Sequence, residues 1–233
     1  MERLMLSEIA KAVGSSCSSD ALINEICTDT RRISPGCVFV AIKGDRFDGH
    51  DYVRYAVENG AIAAVVERQI EGCDCIVVAD TRMALLDIAR YYRRKFNVIL
   101  VGITGSVGKT TSKEMTALVL SERYKTLKTE GNLNNEIGLP KTLLGINSTH
   151  EAAVIEMGMS DFGEIERLSK TAQPTIAMIT NIGFSHIENL KTQEGILKAK
   201  LEILSGMSDT APLVVNADDR LLFPLKKDLN RPV

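Results

Sequence analysis

No apolar run in this 233-residue chain approaches the ~18 residues that a membrane-spanning helix requires, which excludes a helix that crosses a bilayer. Neither charge is in surplus. With 28 basic and 30 acidic side chains the formal net charge is −2, so neither nucleic acid nor an anionic membrane has an electrostatic footprint here. The start, Met1-Glu2-Arg3-Leu4, lacks a basic stretch followed by an apolar core, so no secretory signal is read. Internal repeats and low-complexity tails are missing too. The five cysteines form no pairing pattern. Cys73 and Cys75 are too close together for the usual zinc or redox spacings, and Cys17, Cys27 and Cys37 have no matching partner. They are expected as reduced thiols in a cytoplasmic protein. What remains is 45% hydrophobic and 25% charged, the composition of one or two globular domains with a sizeable core.

Two blocks follow from the order of apolar and polar segments. In the first, Leu4–Val13 has the periodicity of an amphipathic helix, Gly36–Ala41 reads as a strand, and His50–Asn59 reads as a helix with Gly60 as its C-cap. Ala61–Val66 and Cys75–Val78 read as further strands, with polar turns at Asp45–Gly49 and Gln69–Asp74. Asp80 and Thr81 cap a helix from Arg82 to about Lys95, whose Leu85, Ile88, Ala89 and Tyr92 share one face. In the second block, strands at Val98–Ile103, Ala152–Glu156, Thr175–Thr180 and Pro212–Asn216 recur with helices between them. This alternation predicts an α/β protein: a small α/β domain over residues 1–80, then a doubly wound, mostly parallel sheet over 81–233.

The segment Gly102-Ile103-Thr104-Gly105-Ser106-Val107-Gly108-Lys109-Thr110-Thr111 lies between the strand run Val98–Val101 and a helix read at Ser112–Ser121. Its glycines let consecutive N–H groups turn inward onto phosphate oxygens, and the helix N-terminus and Lys109 add positive charge. Thr110 offers a hydroxyl to the Mg²⁺ that accompanies a nucleoside triphosphate. The strict P-loop pattern has glycine where this chain has Ile103, so the match is a variant. The plainer alternative is a glycine-rich strand-to-helix turn. Because parallel sheets collect chemistry at the carboxyl ends of their strands, Glu156, Asn181 and His186 are expected beside this loop. A carboxylate opposite the Thr110 hydroxyl suits a hard Mg²⁺ ion. Taken singly, Glu156 also fits a strand-end surface glutamate, and His186 a hydrogen-bonded loop histidine.

Thr104-Gly105-Ser106-Val107-Gly108-Lys109-Thr110-Thr111, Glu156-Met157-Gly158 and Thr180-Asn181-Ile182-Gly183 followed by His186 resemble the Mur ligase family, ATP-dependent enzymes that form amide bonds in cell-wall precursors. The resemblance covers essentially the whole chain. Ser112-Lys113-Glu114-Met115, Gly131–Pro140, Thr28–Arg31 and Asp48–Asp51 point to the branch that joins D-alanyl-D-alanine to UDP-N-acetylmuramoyl-tripeptide. That branch implies peptidoglycan synthesis in the cytoplasm through an acyl-phosphate intermediate.

The resemblance also implies roles. Gly105, Ser106, Val107, Gly108, Lys109, Thr110, Thr111 and Asn181 would bind ATP. Thr110 and Glu156 would serve one Mg²⁺, and His186 a second. Lys200, with His186 and Lys109 in the catalytic group, would carry a carbamate that serves the second metal. The plainer reading of Lys200 is a solvated helix lysine, with Lys198 as runner-up for the modification. Thr28, Asp29, Thr30 and Arg31, with Gly44 and the Asp48–His50 loop, would contact the UDP moiety. Asn134 and Asn135 would contact the muramoyl-peptide. Ordinary polar turns explain both groups nearly as well. The family pattern continues past Val233 into the rest of the ATP-binding domain and a domain for the incoming amine. This chain is therefore expected to be an inactive fragment by itself. The alternatives are a non-catalytic nucleotide- or UDP-sugar-binding remnant, or a related ligase of folylpolyglutamate or cyanophycin type. The Asp29–Arg31 and Asn134-Asn135 segments disfavour the second.

Overall fold

The computed structural model describes residues 1–44 and 47–233, in two units, Met1–Tyr91 and Tyr92–Val233. The division falls later than the one read at residue 80, inside the helix that follows Asp80. Asp45 and Arg46, the first residues of the polar turn read at Asp45–Gly49, lie outside the described residues.

In the first unit, β1 (Leu4–Met5) precedes α1 (Leu6–Ala12), then β2 (Leu22–Ile23), β3 (Glu25–Cys27), β4 (Cys37–Val40), α2 (Val53–Glu58), β5 (Ala61–Val66), β6 (Cys75–Val77) and α3 (Thr81–Arg93). The first helix is shorter than the span read at Leu4–Val13. Leu4 and Met5 are drawn into an antiparallel pair with Ile23 and Leu22, and the Glu8 carboxylate accepts the Met5 N–H at 2.8 Å. Likewise His50–Asn59 divides into a 3₁₀ turn at Gly49–Tyr52 and α2, because the Asp48 side chain accepts the His50 N–H and tightens the entry. Gly60, at φ +111°, follows α2 as read. Strands β3, β4, β5 and β6 form a parallel sheet in that order. Most of their small and β-branched residues are buried, as a parallel sheet packed on its faces requires, with Val77 at the end of the edge strand β6 exposed. Cys27 and Cys37 lie in this core, and all five cysteines are free thiols. Asp80 Oδ1 caps α3 by accepting from Arg82 N at 2.7 Å and Met83 N at 3.0 Å, and Leu85, Ile88, Ala89 and Tyr92 are fully buried.

The second unit contains β7 (Ile99–Thr104), α4 (Lys109–Ser121), β8 (Thr126–Lys128), α5 (Gly138–Leu144), β9 (Ala152–Glu156), α6 (Glu164–Ala172), β10 (Ile176–Ile179), α7 (Ile187–Leu190), α8 (Gln193–Leu201), β11 (Leu213–Val215) and α9 (Leu225–Asp228). Its five strands are all parallel, in the order β11-β10-β7-β9-β8. The connection leaving β7 runs to β8 on one side, and that leaving β10 runs to β11 on the other. Neighbouring strands whose connections diverge open a crevice at their carboxyl ends, the usual ligand position in such sheets. The helix read at Ser112–Ser121 begins three residues earlier, at Lys109, because Gly108 turns the chain at φ +78° straight into its first turn. The helix that carries Lys200, α8, ends at Leu201 and tightens into a 3₁₀ segment at Glu202–Gly206. No helix among the described residues is long and apolar enough to cross a membrane.

Candidate functional site

β7 ends at Thr104, and the loop Gly105–Gly108 hangs over the β7–β10 crevice. Gly105 sits at φ +152°, and a Cβ there would lie 1.8 Å from Thr180 Oγ1, so only glycine lets the loop pass so close to the end of β10. The residues after β10 then mould the loop. Thr180 Oγ1 donates to the Val107 carbonyl at 2.6 Å. The Asn181 amide brackets the same residue, accepting its N–H and donating to its C=O, both at 3.1 Å. Ser106 N–H donates to the Asn181 carbonyl at 3.1 Å, and Gly183 N–H to Ser106 Oγ at 2.8 Å. Asn181 therefore shapes the Gly105–Gly108 loop through its backbone and side chain.

Lys109 and Thr110 open α4, with Thr111 exposed beside them in its first turn. Lys109 Nζ donates to the Gly105 carbonyl at 2.9 Å; burial lowers its pKa, and the nearby Glu156 charge acts in the opposite direction. Thr110 Oγ1 donates to Glu156 Oε2 at 3.0 Å, across the carboxyl ends of β7 and β9. The other carboxylate oxygen, Oε1, accepts from Asn134 Nδ2 at 2.8 Å. Glu156 is 2% exposed, so it is no surface glutamate, and its N–H donates to the hydroxyl of buried Thr129.

Lys109, Asn134, Asn135, His186 and Lys200 line one cavity of about 280 Å³, together with Gly158, Met159, Ser160 and Glu164. Asn135 has a second task, since its Oδ1 accepts the N–H groups of Ile137 and Gly138 at the start of α5. His186 stands at φ +61°, a left-handed conformation uncommon outside glycine, and begins α7. Lys200 is 2% exposed, unlike a solvated helix lysine. Burial, helped by the charge of Lys109, pushes its ammonium down to about 7. Lys198 instead places its ammonium 5.9 Å from the Phe162 ring centroid.

Thr28, Asp29, Thr30 and Arg31 belong to the other unit, where they follow the carboxyl end of β3. Asp29 accepts from Arg31 at three donors: the backbone N–H (3.1 Å), Nε (2.9 Å) and Nη2 (2.7 Å). These bonds, the side-chain ones first, hold the Asp29 carboxyl down at about 2. Gly49 and Asp48 sit at the same sheet end. His50 Nε2 accepts the Glu67 N–H at 2.8 Å, which leaves its ring proton on Nδ1, facing Asp48 Oδ1 at 2.5 Å.

Sequence reasoning passed over Thr129, whose hydroxyl accepts the Glu156 N–H, and the moulding role of Thr180. A threonine one residue beyond a three-residue edge strand carries no signal of its own. Thr180 lies within the Thr180–Gly183 motif, and its place directly opposite Gly105 in the crevice became visible only with the strand order.

The sequence pattern described as Mur ligase middle domain matches residues 103–232, and that described as Mur ligase family, catalytic domain, matches residues 22–93. The UDP-N-acetylmuramoyl-tripeptide–D-alanyl-D-alanine ligase of Synechocystis is 44% identical over 210 residues, 88% of this chain and 46% of the relative. A crystal structure of MurF from Acinetobacter baumannii superposes with a TM-score of 0.94 at 36% identity, over 100% of this chain and 53% of that one. MurF from Thermotoga maritima in complex with ADP superposes at 0.84, also 36% identical, over 90% of this chain and 49% of that one. This chain thus spans about half the length of the relatives it matches. On the two matched patterns, the parallel sheets and the loop between β7 and α4, the chain belongs to the Mur ligase family.

Proposed function

We propose that this chain carries the UDP-substrate-binding and ATP-phosphate-binding parts of a ligase that joins D-alanyl-D-alanine to UDP-N-acetylmuramoyl-tripeptide in the cytoplasm. The observation that carries the reading is the meeting of Lys109, His186 and Lys200 around one cavity at the switch point of the parallel sheet, with the Thr110–Glu156 pair tied to the cavity through Asn134. The relatives' names supply the substrates.

In this reading Gly105–Thr111 cradle the phosphates of ATP, and Lys109 leaves the Gly105 carbonyl to neutralise charge on the migrating phosphoryl group. The γ-phosphorus forms a bond to a carboxylate oxygen of the muramoyl-tripeptide while its bond to the bridging oxygen of ADP breaks. The amine of D-alanyl-D-alanine then attacks the acyl carbon, loses a proton, and inorganic phosphate departs. Catalysis of this kind is mostly positioning and electrostatics, which fits a cavity lined by two lysines.

The donor set fits Mg²⁺. Thr110 and Glu156 present hard oxygens, and no group of three or more His, Cys, Asp or Glu side chains able to hold a metal occurs among the described residues. An ion that keeps several waters and nucleotide oxygens needs few protein ligands. Thr110 and Glu156 would hold one ion and His186 with Lys200 a second; bound Mg²⁺ supplies charge neutralisation on the phosphates. Lys200 is suited to carbamylation. Its amine is about half neutral near pH 7, and neutral nitrogen attacks CO₂ with loss of one proton, giving an anion beside the charge of Lys109.

Asn134 fits contact with the peptide through the cavity it shares with Lys200, and Arg31 and Thr28–Thr30 fit contact with the UDP moiety. Titrating the purified chain calorimetrically with ADP and Mg²⁺, and separately with UDP-N-acetylmuramoyl-tripeptide, tests the two halves of the proposal. Saturable binding of each is expected. Failure of ADP to bind would overturn the nucleotide assignment, and failure of the muramoyl-tripeptide would leave a nucleotide-binding remnant.

A further inference from the structure

The phosphate loop takes its shape from the Thr180–Gly183 turn, and that turn is itself held from outside. Asp219, in the segment after β11, accepts the Ile182 N–H through Oδ2 at 2.7 Å. Its other oxygen, Oδ1, accepts the N–H groups of Leu221 at 2.9 Å and Leu222 at 3.2 Å, closing its own turn. The Ile182 carbonyl is taken as well: Gln193 Nε2 donates to it at 3.2 Å, and Gln193 Oε1 accepts from Arg220 Nη2 at 2.7 Å. Both peptide groups of Ile182 are thus fixed by one ring of side chains. The next N–H, that of Gly183, is the donor to Ser106 Oγ in the loop.

We propose that Asp219 is a positioning residue for the phosphate loop, acting through the Ile182–Gly183 turn, with Gln193 and Arg220 closing the ring from the carbonyl side. The inference rests on reading Gly105–Thr111 as a phosphate loop, and it extends that site to the end of β11. Two oxygens are needed, because one serves Ile182 and the other serves Leu221 and Leu222. Asp219→Asn leaves a single acceptor oxygen for both tasks.

The test is residue-resolved amide exchange by NMR on the ligand-free chain, followed by ADP titration, with Asp218→Ala as control because Asp218 is exposed beside the ring. Asp219→Asn is expected to speed exchange roughly tenfold at Ile182, Gly183, Ser106 and Val107, with Leu100–Ile103 in β7 unchanged. Gln193→Ala is expected to act on the same amides more weakly, and both variants to weaken ADP several-fold. A role confined to general stability would instead raise exchange in β7 in parallel, and that result, or no change at the four amides, overturns the proposal. If the exchange pattern appears but the wild-type chain binds no ADP, the positioning stands and the nucleotide reading fails. Should Asp219→Asn not fold, Gln193→Ala alone decides, since it leaves the Asp219 turn intact.

Discussion

At the carboxyl end of the sheet in Tyr92–Val233, Glu156 and Lys200 are each 2% exposed, and Glu156 is bonded to residues 46 and 22 positions away. At the same end of the sheet in Met1–Tyr91, Asp29 is paired with Arg31, two residues distant, and the Arg31 side chain is 87% exposed. The first arrangement exists only once four strands are in register; the second forms within a single turn. Buried, long-range groups answer to the fold and to one another, whereas short-range pairs leave their outer donors free for a ligand. The two sheet ends should therefore fail in different ways when altered.

The largest effect should come from Lys109→Ala. Loss of a charged donor to phosphate costs about 1.5–3 kcal/mol, so affinity for ADP with Mg²⁺ should fall roughly 10- to 100-fold. Among the described residues its side chain bonds to the carbonyl of Gly105 in its own loop, so thermal unfolding should stay near wild type. Calorimetry and circular dichroism check the two halves, and unchanged affinity in a folded variant would remove Lys109 from the site.

Lys200 should show the opposite balance, touching stability first. Its ammonium titrates near 7 when folded, against 10.5 for an unperturbed lysine, so the unfolded chain holds more protons between those values. Stability should then rise with pH across that window, the penalty being fully present below pH 7. Lys200→Met should flatten this rise and stabilise the chain at its acid side, by an amount on the order of a few kcal/mol. Urea unfolding in CO₂-free buffer across the window measures it; an undiminished slope would mean that another group is responsible.

The smallest effect on folding is expected in the first unit. An exposed ion pair contributes about 0–1 kcal/mol, so Arg31→Ala should leave the unfolding midpoint nearly unmoved. If its outward guanidinium meets the UDP moiety, affinity for UDP-N-acetylmuramoyl-tripeptide should still fall several-fold. Equal affinity in wild type and variant would show that the Asp29–Arg31 pair is only a turn.

Legibility in the sequence followed the same division. Most strands of the two parallel sheets were visible because continuous apolar runs such as Ala61–Val66 and 152–155 have few other uses, and the parallel α/β class followed from their alternation with helices. The three-residue edge strands β3 and β8 were too short to stand out. The loop between β7 and α4 was visible because its glycines, lysine and threonines sit together in sequence. Strand order was not visible. Consequently the Thr180–Val107 bond, the Thr129–Glu156 bond and the burial of Lys200 needed the structure. Short elements were misread where a side chain capped the backbone early, as Glu8 does at Met5 and Asp48 at His50.

If Gly105–Thr111 holds nucleotide phosphates as proposed, the bond from Lys109 to the Gly105 carbonyl turns nucleotide entry into an exchange of acceptors. The ammonium is not waiting in water; it gives up a carbonyl partner at 2.9 Å before it reaches a phosphate. Whatever affinity Lys109→Ala forfeits is therefore a difference between two contacts, and the contact with phosphate is stronger than that loss by the strength of the one to Gly105.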